Sequence, residues 1–140
     1  MLIEDDDVAV DAVLRSIKKK KLPFNVVEAE EGQTALDILR GESPNQSIET
    51  PFVVLLDLNM VGMNGFEFLA KIRADSKLRA TTVFVLSSSE EEVDINKAYF
   101  YNVAGYIIKK QAGSEIERLL DFLAHYQDIM RLPVNNLLNG

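Results

Sequence analysis

The chain has 140 residues, 47% of them apolar and 26% charged, which suits one globular domain and excludes disorder, collagen and coiled coil. A net charge of −7 argues against binding nucleic acid, which needs clustered Lys and Arg to displace counterions. The absence of cysteine removes disulfides, thiol nucleophiles and Cys-ligated zinc and fits a cytoplasmic protein, while no signal peptide and no apolar run of roughly 20 residues points to a membrane.

In chain order, Met1-Leu2-Ile3 is an apolar stub that stops at Glu4-Asp5-Asp6-Asp7. It is short for a first strand, which leaves open that residues precede Met1. Val10, Val13, Leu14 and Ile17 fall at i, i+3, i+4 and i+7, the apolar face of a helix, with Asp6 or Asp7 as its cap and Lys18 to Lys21 at its C-terminal end. Phe24 to Ala29 predicts a second strand, and Thr34 to Arg40 a second helix stopped by Gly41. The polar stretch Glu42 to Pro51 reads as the longest surface loop.

Phe52-Val53-Val54-Leu55-Leu56 is a continuous apolar run ending in Asp57, as expected of a central parallel strand covered on both faces. Asn64 caps a third helix, with Glu67 reaching back. Thr82 to Leu86 predicts a fourth strand ending in Ser87-Ser88-Ser89, and Ser89 with Glu92 forms a capping-box pattern for a fourth helix running to about Tyr101. Val103 to Ile108 predicts a fifth strand ending at Lys109. Ser114 with Glu117 caps a last helix that carries Ile116, Leu119, Leu120 and Leu123 on one face.

Alternating strands and helices imply right-handed crossovers and an α/β fold, a doubly wound five-stranded parallel sheet with helices on both faces. Such sheets bind ligands beyond the carboxyl ends of their strands. Those ends carry Glu4-Asp5-Asp6, Asp57, Ser87 and Lys109. In the order 2-1-3-4-5, the first and third strands are neighbours and Asp57 faces Glu4 and Asp5. Carboxylates so close need a counter-charge, and Mg²⁺ with oxygen ligands is the expected one. Carboxylate, metal, ammonium and hydroxyl together suit a phosphoryl group carried on Asp57. Each residue alone has a plainer explanation: a solvated acidic loop, a turn aspartate, a loop serine, a surface lysine. The combination at successive strand ends is what points to chemistry.

On these residues the chain resembles a response-regulator receiver domain of two-component signalling, of the single-domain type. The matching stretches are Leu2-Ile3-Glu4-Asp5-Asp6, Leu55-Leu56-Asp57-Leu58-Asn59-Met60 with Gly62-Met63-Asn64-Gly65, Val85-Leu86-Ser87, and Gly105-Tyr106-Ile107-Ile108-Lys109. The resemblance implies the flavodoxin-like strand order 2-1-3-4-5, with Asp57 as phosphoacceptor and a sensor histidine kinase or phosphotransfer protein as donor. It further implies Mg²⁺ held by Asp5, Asp57 and the Asn59 backbone carbonyl, with Glu4 acting through water; Asp5 and Asp6 are the alternative acidic pair. Ser87 and Lys109 would hold phosphoryl oxygens, and Tyr106 would turn inward as the Ser87 hydroxyl moves. Asn59 and Ser89 occupy positions that in the family modulate loss of the phosphoryl group. No separate turnover activity is expected.

Two residues depart from the family pattern. Val61 replaces a proline after the metal-binding residue, and Lys110 replaces a cis proline after the lysine. Because a non-proline cis bond costs ~2.5–4 kcal/mol, the Lys109–Lys110 bond is predicted trans, with an altered loop. A phosphorylation-independent interaction module is the alternative reading. Hydrolases of the haloacid dehalogenase type need a second acid two residues after the nucleophile, where Asn59 stands, so that reading fails.

Residues 1–127 form the receiver domain and 128–140 a C-terminal extension for dimerisation or docking. Phe122, Tyr126 and Ile129 make a second apolar stripe on the last helix, and Leu132, Val134, Leu137 and Leu138 extend it, predicting a homodimer. Pro133 would re-aim the tail. The lone histidine, His125, is read as a surface residue. Single-domain regulators that work with bacterial phytochromes share the Glu-Asp-Asp-Asp start and the extended C-terminus, which would make a bacterial phytochrome the kinase.

Overall fold

The structure, a computed structural model, describes residues 1–110 and 114–134. Its elements are β1 (Leu2–Ile3), α1 (Asp7–Lys19), β2 (Glu28–Ala29), α2 (Gly32–Leu39), β3 (Val53–Leu56), α3 (Gly65–Ala74), β4 (Thr82–Ser87), α4 (Glu92–Phe100), β5 (Gly105–Ile108) and α5 (Ser114–Ile129). All strand pairs are parallel, and the sheet order is β2-β1-β3-β4-β5, as expected from the sequence.

Strand pleating divides the core in two. Ile3, Val54, Leu56, Val83 and Val85 point to one face, where Leu36, Ile38, Phe68, Leu69, Ile72 and Ala98 of α2, α3 and α4 cover them. Leu2, Leu55, Phe84 and Leu86 point to the other, against Val13 of α1 and Leu119, Leu120 and Leu123 of α5. Burial of each large side chain contributes roughly 1.5–3 kcal/mol, so both faces of the sheet are held by apolar packing. The ion pairs Lys20–Asp121 at 2.6 Å and Lys19–Glu117 at 3.2 Å join α1 to α5 at the surface.

β1 is short, yet its ladder runs on to the acids. Glu4 N–H donates to Ala29 C=O at 3.0 Å and Asp57 N–H donates to Ile3 C=O at 3.0 Å. These bonds fix the backbones of Glu4 and Asp57 side by side at the carboxyl end of the sheet.

Several local expectations hold. Asp6 caps α1, its side chain accepting from Val8 N–H, and Asn64 caps α3 by accepting from Glu67 N–H at 2.9 Å. Gly41 ends α2 with φ of +74°, a left-handed conformation that glycine adopts at least cost. Thr50–Pro51 is the one cis bond among the described residues, so Lys109–Lys110 is trans.

Other expectations need correction. β2 is only Glu28–Ala29, because Phe24 and Val26 pack against the α1–α5 core without joining the ladder. α2 begins two residues before Thr34, at Gly32, whose missing Cβ makes room for the Met63 side chain. Ser89 does not cap α4: that helix starts at Glu92, Glu91 is its N-cap, and the Ser89 hydroxyl turns instead to Asp94.

Phe122 and Tyr126 are not a stripe clear of the core. Both rings meet Phe84 edge-on, with centroids 5.8 and 5.3 Å away, because α5 crosses that large β4 side chain. Ile129 is 74% exposed, and Met130 and Val134 are exposed beyond it, while Leu132 is half-buried. Leu137 and Leu138 lie outside the described residues, as does any capping bond of Ser114. α5 runs without a break across the expected boundary at residue 127. Among the described residues no helix is long and apolar enough to cross a membrane.

Candidate functional site

The strand ends bring together the acids that the sequence pointed to. One carboxylate oxygen each from Glu4, Asp5 and Asp57 lies within 4.8 Å of the others. Glu4 and Asp57 are buried, while Asp5 is exposed at the rim. Asp6 stays outside this group as the cap of α1, which favours Glu4 and Asp5 over the Asp5–Asp6 pair.

Each carboxylate is held by a backbone donor. Asp57 Oδ1 accepts from Asn59 N–H at 3.1 Å, Asp5 Oδ2 accepts from Val61 N–H at 3.1 Å, and Glu4 Oε1 accepts from Asp6 N–H at 3.2 Å. The Val61 contact spans two loops and needs an N–H, which a proline at that position would lack. Gly65 sits behind this loop, where a Cβ would lie 2.6 Å from Leu58 Cα and 2.8 Å from the Asp57 carbonyl oxygen. The loop that carries Asp57 and Asn59 therefore rests directly on the start of α3.

Lys109 supplies the positive charge. Its Nζ donates to Glu4 Oε2 at 2.8 Å and stands 3.7 Å from Asp57 Oδ2, so replacing the usual proline by Lys110 does not keep the amine out of the site. Burial pushes the Glu4 carboxyl up to about 7; the hydrogen bond from Lys109 pulls against this, and the Asp57 charge adds to it. Burial works to lower the Lys109 ammonium, but the bond to Glu4 and the charges of Asp57, Glu4 and Asp6 outweigh it and hold the group above its ordinary value. Three hard carboxylates against one ammonium suit a divalent cation.

Ser87 is fully buried at the end of β4, and its Oγ accepts from Ser89 N–H at 3.2 Å. Tyr106 is half-buried on β5, and its hydroxyl donates to the Ser89 carbonyl at 2.9 Å. Phe122, Tyr126 and Ile129 lie on α5 and take no part in the acidic cluster.

The sequence reading missed Phe66 and Asp94, which join Asp5, Asn59 and Val61 around a cleft of about 390 Å³ beside the acids. Asp94 binds the Ser89 hydroxyl at 2.6 Å, and Lys97 lies 4.5 Å above the Phe66 ring. Asp94 is an acid in the first turn of α4, but the capping-box pattern points to Glu92 instead.

Residues 1–121 match the family described as the response regulator receiver domain. A curated relative, the probable methanogenesis regulatory protein FilR2 of Methanothrix harundinacea (strain 6Ac), is 30% identical over 127 residues, covering 90% of this chain and 81% of that protein. Among solved structures, the phosphorylated cyanobacterial phytochrome response regulator RcpA is 30% identical with a TM-score of 0.84, over 95% of this chain and 96% of that one. The bacteriophytochrome response regulator AtBRR is 31% identical with a TM-score of 0.72, over 96% of this chain and 94% of that one. With its fold, its strand-end acids and this match in hand, the chain belongs to the response regulator receiver domain family.

Proposed function

We propose that the chain is a phosphoryl-accepting response regulator, in which Asp57 takes the phosphoryl group of a phosphohistidine on a sensor histidine kinase or phosphotransfer protein. The observation that carries this reading is the convergence of Glu4, Asp5 and Asp57 with Lys109 against two of them. In the transfer the P–N bond of the phosphoimidazole breaks, a P–O bond forms to an Asp57 oxygen, and imidazole leaves with a proton. Phosphoryl transfer asks a protein mainly for positioning and charge stabilisation. Asp57 enters oriented by the Asn59 N–H. The Lys109 ammonium would neutralise one phosphoryl oxygen, and the Ser87 hydroxyl would donate to another.

Glu4, Asp5, Asp57 and the Asn59 backbone carbonyl would hold Mg²⁺, and the three converging carboxylates fit a hard divalent ion. When bound, it supplies Lewis-acid neutralisation of phosphoryl charge. Tyr106 would serve as the switch, because its hydroxyl is tied to the loop that follows Ser87. The names of RcpA and AtBRR, both phytochrome regulators, support a phytochrome-type kinase as the donor. The exposed Ile129, Met130 and Val134, with half-exposed Phe122, support self-association through the end of α5 and the segment after it, and output by protein contact.

Incubation with acetyl phosphate and Mg²⁺ tests the central claim. Intact mass spectrometry should detect one added phosphoryl group, absent from Asp57→Asn. No adduct at saturating donor, or an adduct that survives the substitution, would overturn it.

A further inference from the structure

Ser89 is bonded through each of its polar groups. Its N–H donates to Ser87 Oγ at 3.2 Å, its C=O accepts from Tyr106 at 2.9 Å, and its hydroxyl donates to Asp94 Oδ2 at 2.6 Å while accepting from Glu91 N–H at 3.3 Å. Ser87 and Tyr106 belong to the proposed phosphoryl switch. Asp94 lies outside that switch and lines the cleft beside the acids together with Asp5 and Asn59.

We infer that Asp94 is a positioning residue for the Ser87 hydroxyl and acts on it through Ser89; the inference rests on the reading of Asp57 as phosphoryl acceptor. The Ser87 Oγ has one proton to donate, and the Ser89 N–H occupies part of its acceptor capacity. That contact leaves the hydroxyl proton free for a phosphoryl oxygen and limits the directions in which it can point. The Ser89 N–H holds this position only while the loop between β4 and α4 is fixed, and that loop lies outside helix and strand. A short bond to an ionised carboxylate is roughly twice as strong as a neutral one. The Asp94–Ser89 bond is of this kind and anchors the loop to the first turn of α4. Without it Ser89 keeps only the Glu91 N–H at its hydroxyl and Tyr106 at its C=O, and the backbone donor to Ser87 is less firmly placed.

The test uses the full chain with Mg²⁺ and acetyl phosphate, in which an Asp57 oxygen forms the new P–O bond and acetate leaves with the electron pair of the old one. The readout is the initial rate of adduct formation. Asp94→Ala should slow it by on the order of tenfold, the loss of one charged hydrogen bond. Asp94→Asn, which still accepts from Ser89, should stay much nearer wild type. Ser89→Ala should match Asp94→Ala, Ser89→Thr should restore the rate, and Asp94→Ala with Ser89→Ala should be no slower than either alone.

Equal rates in all variants would overturn the inference while leaving Asp57 as acceptor. So would multiplied losses in the double variant. Asp94→Asn and Asp94→Ala both outpacing wild type would overturn it as well, by marking Asp94 as a charge that repels the donor. If the wild type forms no adduct, the reading of Asp57 falls and takes this one with it. Thermal melts of each variant identify any that fail to fold, and the Asn and Thr variants carry the test if the alanine ones do.

Discussion

Glu4 makes the stability of the protein depend on pH in a direction opposite to that of an ordinary salt-bridged carboxylate. Its carboxyl titrates near 4.5 in the unfolded chain and at about 7 in the folded one, chiefly because it is buried. Below the unfolded value it is protonated in both states and costs nothing. Between the two values the unfolded chain has released a proton that the folded chain still holds, so stability falls as pH rises and levels off above about 7. At about 1.4 kcal/mol per pH unit, the full effect is about 3 kcal/mol.

The quantity to measure is therefore the difference between wild type and Glu4→Gln. Glutamine keeps an acceptor for the Asp6 N–H but does not titrate. Urea unfolding from about pH 5 to about pH 8 with the metal chelated should show the variant gaining on the wild type by a few kcal/mol. On the metal-site reading, Mg²⁺ at about 10 mM should bind the ionised acids and raise the wild-type melting temperature more at the higher pH. Parallel curves for the two proteins would refute the argument from burial.

Three further outcomes follow from the packing. Gly65→Ala drives a Cβ into Leu58 and the Asp57 carbonyl, so urea unfolding should register a loss of about 1–3 kcal/mol and, on the phosphoacceptor reading, adduct formation should slow in the same preparation. Arg73 donates to the carbonyls of Arg79, Thr81, Tyr101 and Asn102 at 2.7 to 3.1 Å, joining the end of α3 to the turns before β4 and β5. Arg73→Met should cost roughly 2 kcal/mol in denaturation and speed amide exchange at Val103 and Ala104. Tyr126→Ala removes a ring from Phe84 and should cost about 3 kcal/mol, whereas Ile129→Ala should leave stability within about 0.5 kcal/mol and, on the self-association reading, lower the sedimentation coefficient.

What was legible in the sequence is what local chemistry dictates. The unbroken run Val53 to Leu56 marks a strand buried on both faces, Asn64 and Asp6 mark helix starts, and Gly41 marks a stop. Strand-end acids, serine and lysine point to the proposed chemistry because parallel topology carries the strand ends to one edge. Competition between neighbours was not legible. The Ser89 hydroxyl had several acids within reach along the chain, and only the folded loop set it to donate to Asp94 while accepting from the Glu91 N–H. Phe24 and Val26 are as apolar as strand residues, but the residues paired with β1 are Glu28 and Ala29. Phe122 and Tyr126 have the spacing of a free stripe and are claimed by Phe84 from another element. Pattern along a chain reports which groups are present and how they repeat. Which of several possible partners each group takes depends on distances across the fold, and those exist only once the helices are packed on the sheet.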